Sequence, residues 1–249
     1  MKSVLPNSLD HPPQRFLTTS WTMIAQAHQE NPASHEALSQ LCIAYWQPLY
    51  HFYRRYQLPS QANADGEDLV QSFFVWLIES NSIKYAEEQR GRFRTFLLAC
   101  FKQFLASHQQ YATASKRRPV QPVLSLHEIA PERIVALDSY QSMTAEQAFD
   151  YAWALEIVDR AMKRLEDEWD RAGRRDRFLA LRNLLAGNPE IRGRDLATSL
   201  GMTEGAVRVA IHRMRKRFAE LLRYEVLQTS ASPTDADEEL KYLIEVLRA

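Results

Sequence analysis

Apolar residues recur at three- and four-residue steps through much of the chain, which predicts amphipathic helices. The clearest case follows Gly91, where the apolar positions are Phe93, Phe96, Leu97, Cys100, Phe101, Phe104 and Leu105. Runs of β-branched residues are rare, and glycine is scarce, at 7 of 249 residues. These features favour helices over strands and predict an all-α fold.

Breaks in this pattern predict two small helical domains joined by a linker. Residues 1–20 lack periodicity and are expected to form a loose arm, while residues 21–118 form a first helical domain. Three prolines and weak periodicity mark residues 119–143 as the linker. The second domain, 144–227, begins with a capping box at Thr144 and Gln147, and Gly173 stops its first long helix. Residues 228–249 form an acidic extension.

A helix predicted from about Asp65 has a wide buried face and a separate outer stripe. The buried face is Leu69, Val70, Phe73, Phe74, Trp76, Leu77 and Ile78. The outer positions follow at helical spacing and are Asp68, Gln71, Ser72, Val75 and Glu79. An acidic outer stripe is either a solvated helix face or a surface for a partner, and the spacing alone leaves both open.

Residues 194–217 carry the spacing of a helix-turn-helix. The motif needs a small residue between the helices, a glycine for a left-handed turn and a buried β-branched residue further on. Ala197, Gly201 and Val207 meet these demands, and Thr203 is a suitable N-cap for the second helix. The second domain is therefore predicted to end in a helix-turn-helix, with a generic helical hairpin as the alternative.

The charge is balanced overall but unevenly distributed, with 31 basic and 31 acidic residues. The net charge is +7 in residues 90–118 and +5 in residues 205–223. It is −5 in residues 65–88 and −3 from residue 235 to the end. Two basic blocks are typical of a protein that contacts a polyanion at two places. Ordinary solvated helix faces are the alternative.

The sequence argues against a membrane-spanning protein, a signal peptide and an enzyme. Phe73–Ile78 and Phe96–Phe101 are apolar runs of only six residues each, too short to cross a bilayer, and the amino terminus lacks the apolar core of a signal peptide. We therefore expect a cytoplasmic protein without membrane insertion, with Cys42 and Cys100 reduced. Paired catalytic carboxylates, a glycine-rich phosphate loop and zinc-spaced ligands are missing, so no enzyme activity, metal or cofactor is expected.

Three stretches resemble bacterial RNA polymerase sigma factors of the extracytoplasmic-function class, within the sigma-seventy family. LATSLGMTEGAVRVAIHRMRKRF (196–218) is similar to the family's carboxy-terminal promoter-binding motif. GEDLVQSFFVWLIE (66–79) resembles its polymerase-docking helix, and residues 91–118 resemble the helices that bind the −10 element. GRFRTFL and TTSW are also similar to sigma-like proteins common in planctomycetes. The resemblance covers roughly residues 21–118 and 144–224.

The resemblance implies a transcription initiation factor with core RNA polymerase and promoter DNA as partners, and an anti-sigma or other regulatory protein as a further partner class. The implied polymerase contacts are Asp68, Gln71, Ser72 and Val75. The implied −10 contacts are Arg94, Lys102, Gln103, Ser107, Gln110, Tyr111, Lys116, Arg117 and Arg118. The implied −35 contacts are Thr203, Glu204, Gly205, Arg208, Val209, His212, Arg213, Lys216 and Arg217, with Arg215 and Arg217 expected to contact phosphates only.

The chain departs from the family pattern at several positions. Residues 107–111 replace the usual Asn, Asp and arginines of the −10 segment, and Val209 and Ala210 replace family Ser and Arg. The tail has a short apolar stripe at Leu240, Leu243 and Leu247, which is typical either of a docked or frayed helix or of a regulatory segment. The alternative function is a two-domain helix-turn-helix regulator that acts without core polymerase.

Overall fold

The computed structural model describes residues 32–56, 66–80, 82–86, 92–114, 142–185, 193–228, 230 and 233–248. These ranges are helical and contain no strand, so the predicted all-α class is confirmed. A short 3-10 helix spans Ser82–Tyr85. The α-helices are α1 Pro32–Tyr56, α2 Gly66–Glu79, α3 Phe93–Ala114, α4 Ala145–Arg171, α5 Arg175–Leu185, α6 Gly193–Ser199, α7 Glu204–Gln228 and α8 Pro233–Arg248.

Local capping fixes the ends of α4 as the sequence predicts. The Gln147 backbone N–H donates to Thr144 Oγ1 at 3.2 Å, and the Thr144 N–H donates to Gln147 Oε1 at 2.8 Å. This reciprocal pair is a capping box, and it provides acceptors for two backbone N–H groups that have no partner within the helix. At the other end Gly173 has φ +66°, a left-handed conformation that stops the helix.

A large aromatic core joins α1, α2 and α3 to the first half of α4. The Phe73 ring meets the Phe101 ring edge-on at 4.8 Å between centroids, and Tyr45 meets Phe93 at 5.5 Å. From α4, Phe149 and Trp153 are buried in the same cluster. The carboxy-terminal helices also contribute to it, through Val226, Ala236 and Leu243.

A second, smaller core lies under the carboxy-terminal half of α4. Its buried members are Ala161, Leu165, Phe178, Leu181, Ala197, Val207, Met214 and Leu221. Helices α4 and α7 belong to both cores, because each is long: the 27 residues of α4 span about 40 Å. These two helices therefore hold the two cores in one packed arrangement.

This packing differs from two domains that meet only through a linker. The first core takes residues from both predicted domains, because α4 has large apolar side chains, among them Phe149, Trp153 and Ile157, where it faces α1. Burying them against α1 removes their apolar surface from water. The predicted arm and most of the predicted linker lie outside the described residues.

Two smaller predictions can also be checked. Cys42 and Cys100 are both free thiols, as predicted, and burial raises the pKa of Cys42 to about 12. Ile78, predicted on the buried face of α2, is 44% exposed, so that prediction is wrong. Among the described helices, none has the length and apolar character of a membrane span.

Candidate nucleic-acid interface

The turn between α6 and α7 has the geometry that its sequence predicts. Gly201 has φ +61°, the left-handed region that glycine occupies without steric cost. The Met202 N–H donates to the Ala197 carbonyl at 2.8 Å and closes the end of α6. Thr203 Oγ1 accepts the Ala206 N–H at 3.2 Å, which confirms the predicted N-cap. Ala197 and Val207 are buried beneath the turn, also as predicted.

The outer face of α7 brings the predicted −35 contacts to the surface. All nine are exposed: Thr203, Glu204, Gly205, Arg208, Val209, His212, Arg213, Lys216 and Arg217. Val209 is 50% exposed, which is high for an aliphatic residue beside a core. Arg208, Arg213 and Lys216 form no ion pair with any described residue. The first half of α7 therefore presents accessible positive charge.

A shallow groove of about 580 Å³ runs along this face, between α7 and the junction of α4 and α5. Its apolar lining includes Trp169, Leu181, Met202 and Val209. Its charged lining is entirely basic and consists of Arg174, Arg177, Arg213 and Arg217. Cations around an apolar floor suit a ligand that carries both negative charge and apolar surface.

Two arginines further along α7 differ from the sequence prediction. Arg217 donates to Glu168 at 2.7 and 2.9 Å and to Glu220 at 2.9 Å. Its hydrogen bonds to Glu168 and Glu220 raise the pKa of the guanidinium, and the same contact lowers the pKa of Glu168. Arg215 Nη2 donates to the Leu184 carbonyl at the end of α5. Both side chains therefore serve contacts between helices, not free phosphate contacts as predicted.

The outer stripe of α2 lies on the surface. Asp68 and Ser72 are exposed, while Gln71 and Val75 are half-buried. Ser72 Oγ donates to the Asp68 carbonyl at 2.8 Å, so this hydroxyl is engaged within its own helix. Ile78 lies one turn beyond Val75 and is exposed. The stripe therefore has an acidic residue at each end, and the exposed Ile78 lies beside Glu79.

The predicted −10 contacts are only partly accessible. Gln103 and Ser107 are exposed on α3. Lys102 is exposed but pairs with Glu146 at 2.7 Å and lies over the Phe52 ring at 5.6 Å. For Gln110 and Tyr111 the structure describes the helix but not the side chains, and Lys116, Arg117 and Arg118 lie outside the described residues.

Arg94 is the clearest departure from the predicted interface. Its side chain is only 9% exposed, and its Nε donates to Glu239 Oε1 at 2.6 Å. Its Nη1 pairs with Asp150, while Trp153 and Tyr242 lie against the guanidinium at 4.7 and 4.8 Å from the ring centroids. We call these five residues the Arg94 cluster. In this arrangement Arg94 faces two carboxylates and not solvent, and its contact with DNA stays a prediction.

The electrostatics of the cluster favour the charged form of Arg94. Burial acts to lower the pKa of the Arg94 guanidinium, but the hydrogen bond and charge of Glu239 and the charge of Asp150 outweigh it and raise the pKa. Arg92 Nε adds a second contact to Glu239, at 2.6 Å. The Tyr242 hydroxyl donates to Asp150 Oδ2 at 2.6 Å. Charge-assisted contacts of this kind are among the stronger hydrogen bonds in proteins.

Sequence reasoning missed Asp150, Glu239 and Tyr242 as partners of a basic residue. One local signal was present: Arg94 precedes the buried Leu97 and Phe101 by three and seven residues, so it lies beside the apolar stripe of α3. The identity of its partners had no such signal, because Glu239 is 145 residues away in the chain.

The described residues contain no group of three or more His, Cys, Asp or Glu that could hold a metal ion. Comparisons of the chain with protein-family models, with curated proteins and with solved structures gave no match.

Proposed function

We propose that the protein is a cytoplasmic transcription initiation factor that binds core RNA polymerase and directs it to promoters. The observation that carries this proposal is the capped turn from α6 to α7, followed by an exposed basic helix face. The resemblance of the same residues to a promoter-binding motif supports it. The exposed stripe of α2, at the position of a docking motif, supports the polymerase part.

Promoter binding by α7 would use two kinds of contact. Arg213 and Lys216 are exposed cations that can neutralise phosphates, which makes affinity fall steeply with salt. Thr203, Glu204 and Arg208 lie in the first turns of the helix, where side chains reach base edges in the major groove. The exposed Val209 offers an apolar contact for a thymine methyl group.

Polymerase docking would use the α2 stripe. Asp68 offers charge at one end, and the exposed Ile78 offers apolar surface at the other. The exposed Ile78 and the half-buried Val75 add apolar surface that a protein partner can contact.

A DNA contact at the −10 element would use the exposed polar surface of α3. Gln103 and Ser107 lie on this surface, and Lys102 adds a cation whose partner, Glu146, is itself exposed. Surface ion pairs of this kind are weak, so a phosphate can replace the carboxylate.

The direct test is transcription in vitro from genomic fragments, with purified core polymerase and with or without this protein. We expect transcripts that depend on the protein. Charge reversal at Asp68 combined with Gln71→Ala should weaken binding to core RNA polymerase. The control variant Glu67→Lys, a charge reversal one residue away, should not weaken it. If the double variant binds core RNA polymerase with unchanged affinity, the α2 stripe is only a solvated surface.

A second candidate is a helix-turn-helix regulator that acts without core polymerase. The exposed basic face that follows the capped turn supports it as well, because DNA binding by this face does not require core polymerase. Such a regulator would bind duplex DNA as a dimer on a palindromic site, and no core-dependent transcripts would appear.

A further inference from the structure

The tail helix α8 meets both basic blocks of the chain through acidic side chains. Glu239 is 3% exposed and pairs with Arg92 and Arg94 of the first block. Asp237 pairs with Arg223 of the second block at 2.8 Å. The acidic extension therefore pairs with cations of both basic blocks.

Apolar contacts hold one face of α8 in place. Ala236 and Leu243 are fully buried, and Leu240, Tyr242, Val246 and Leu247 are partly buried against the first core. The polar anchor of α8 is Glu239, which lies in the Arg94 cluster. The attachment of α8 therefore depends on the Arg94 cluster as well as on apolar packing.

Within the cluster, Glu239 makes the contacts that a DNA phosphate would make. Its two oxygens accept from Arg94 Nε and Arg92 Nε, each at 2.6 Å. Arginine pairs with carboxylate and with phosphate through the same forked geometry. Arg94 cannot serve both ligands at once, because Asp150, Trp153 and Tyr242 enclose the guanidinium.

We propose that α8 is an autoinhibitory segment, in which Glu239 occupies the phosphate-binding position of Arg92 and Arg94 until DNA displaces it. This inference rests on the proposed function, since it assigns a regulator to the same DNA-binding surface. Release of α8 removes Glu239 and Tyr242 from these two arginines, while Asp150 and Trp153 of α4 stay beside Arg94. DNA binding and release of α8 are therefore coupled, and each favours the other to the same extent.

The test uses the full-length chain and two neighbouring glutamates of α8. Glu239→Gln removes the buried negative charge at almost constant size. Glu238→Gln removes the same charge from an exposed residue that forms no ion pair with the described residues, so it is the matched control. Affinity for a mixed-sequence DNA duplex is measured by fluorescence anisotropy, and the opening of residues 233–248 by amide hydrogen exchange.

We expect Glu239→Gln to bind duplex about 5-fold more tightly than wild type or more, a typical allosteric coupling, with Glu238→Gln close to wild type. Exchange in residues 233–248 should rise in Glu239→Gln, and it should rise in wild type when duplex is added. Tyr242→Phe, which keeps the ring but loses the hydrogen bond to Asp150, should change both readouts in the same direction. Tyr242→Phe replaces Glu239→Gln in the test if Glu239→Gln does not fold.

Failure of this inference and failure of the proposed function give different results. If wild type binds duplex but the two glutamine variants bind it equally well, α8 is not inhibitory, and DNA binding stands. If duplex binds wild type without increasing exchange in residues 233–248, the coupling is likewise overturned. If neither wild type nor the variants bind duplex, the proposed function fails, and the inference fails with it.

Discussion

The two basic blocks of this protein are both strongly positive, yet Arg94 in the first and Arg208 in the second have opposite surroundings. At the start of α3, Arg92 and Arg94 are held by Glu239 and Asp150, and the Arg94 side chain is almost fully enclosed. On α7, Arg208, Arg213 and Lys216 are exposed, without an ion pair among the described residues. A run of positive charge in a sequence therefore does not reveal which cations are available to a ligand. That depends on which acidic residues the fold brings to them.

The largest expected difference between the blocks is in stability. Arg94→Ala leaves Glu239 and Asp150 as carboxylates without their buried cation, so we expect a loss of about 3–5 kcal/mol in the free energy of unfolding. Arg208→Ala removes an exposed side chain and should change it by about 0.5 kcal/mol or less. Urea unfolding of both variants measures the difference. Equal midpoints would mean that the Arg94 cluster does not stabilise the fold.

The buried His51 and the exposed His212 should differ in how they make folding stability depend on pH. His51 is buried in the first core, and burial, followed by the charge of Arg54, lowers its pKa to about 4 from 6.5. The unfolded chain therefore binds the proton more tightly, and stability falls as the pH drops from about 6.5 toward 4. Between pH 7 and 4.5, wild type should lose about 2 kcal/mol more than His51→Asn.

The control for this pH effect is His212→Asn, at an exposed position on α7. It should keep the acid sensitivity of wild type. Identical pH profiles for wild type and His51→Asn would show that burial of His51 does not couple folding to protonation.

A smaller effect is expected at the turn that positions α7. Gly201 has φ +61°, so Gly201→Ala should cost about 1–2 kcal/mol although no atom crowds the new methyl group. Gly205 lies inside the helix, where Gly205→Ala should instead stabilise the protein by up to about 1 kcal/mol. Thermal unfolding shows whether each variant is more or less stable than wild type. A stabilising Gly201→Ala would be incompatible with a left-handed turn.

Local rules account for what the sequence predicted correctly. The capping box at Thr144, the turn at Gly201 and the cap at Thr203 depend on residues within a few positions of one another. Ile78 was misassigned because its apolar side chain was taken as evidence of burial, whereas its place on the helix is outside. Glu239, Asp150 and Glu168 could not be predicted as partners of Arg94 and Arg217, since they lie 145, 56 and 49 residues away along the chain. Only tertiary packing brings them together.

The most direct test of the account is the salt dependence of duplex binding by Arg208→Ala and Arg217→Ala. Arg208 is free to meet DNA, whereas Arg217 is held by Glu168 and Glu220. If Arg208 binds a phosphate, its removal should lower the slope of log affinity against log salt by about one. If it binds a base, its removal should cost about 1–3 kcal/mol at one −35 position. Arg217→Ala should leave both readouts near wild type. An Arg208→Ala variant that binds every sequence with wild-type affinity and slope would contradict DNA binding by this face of α7.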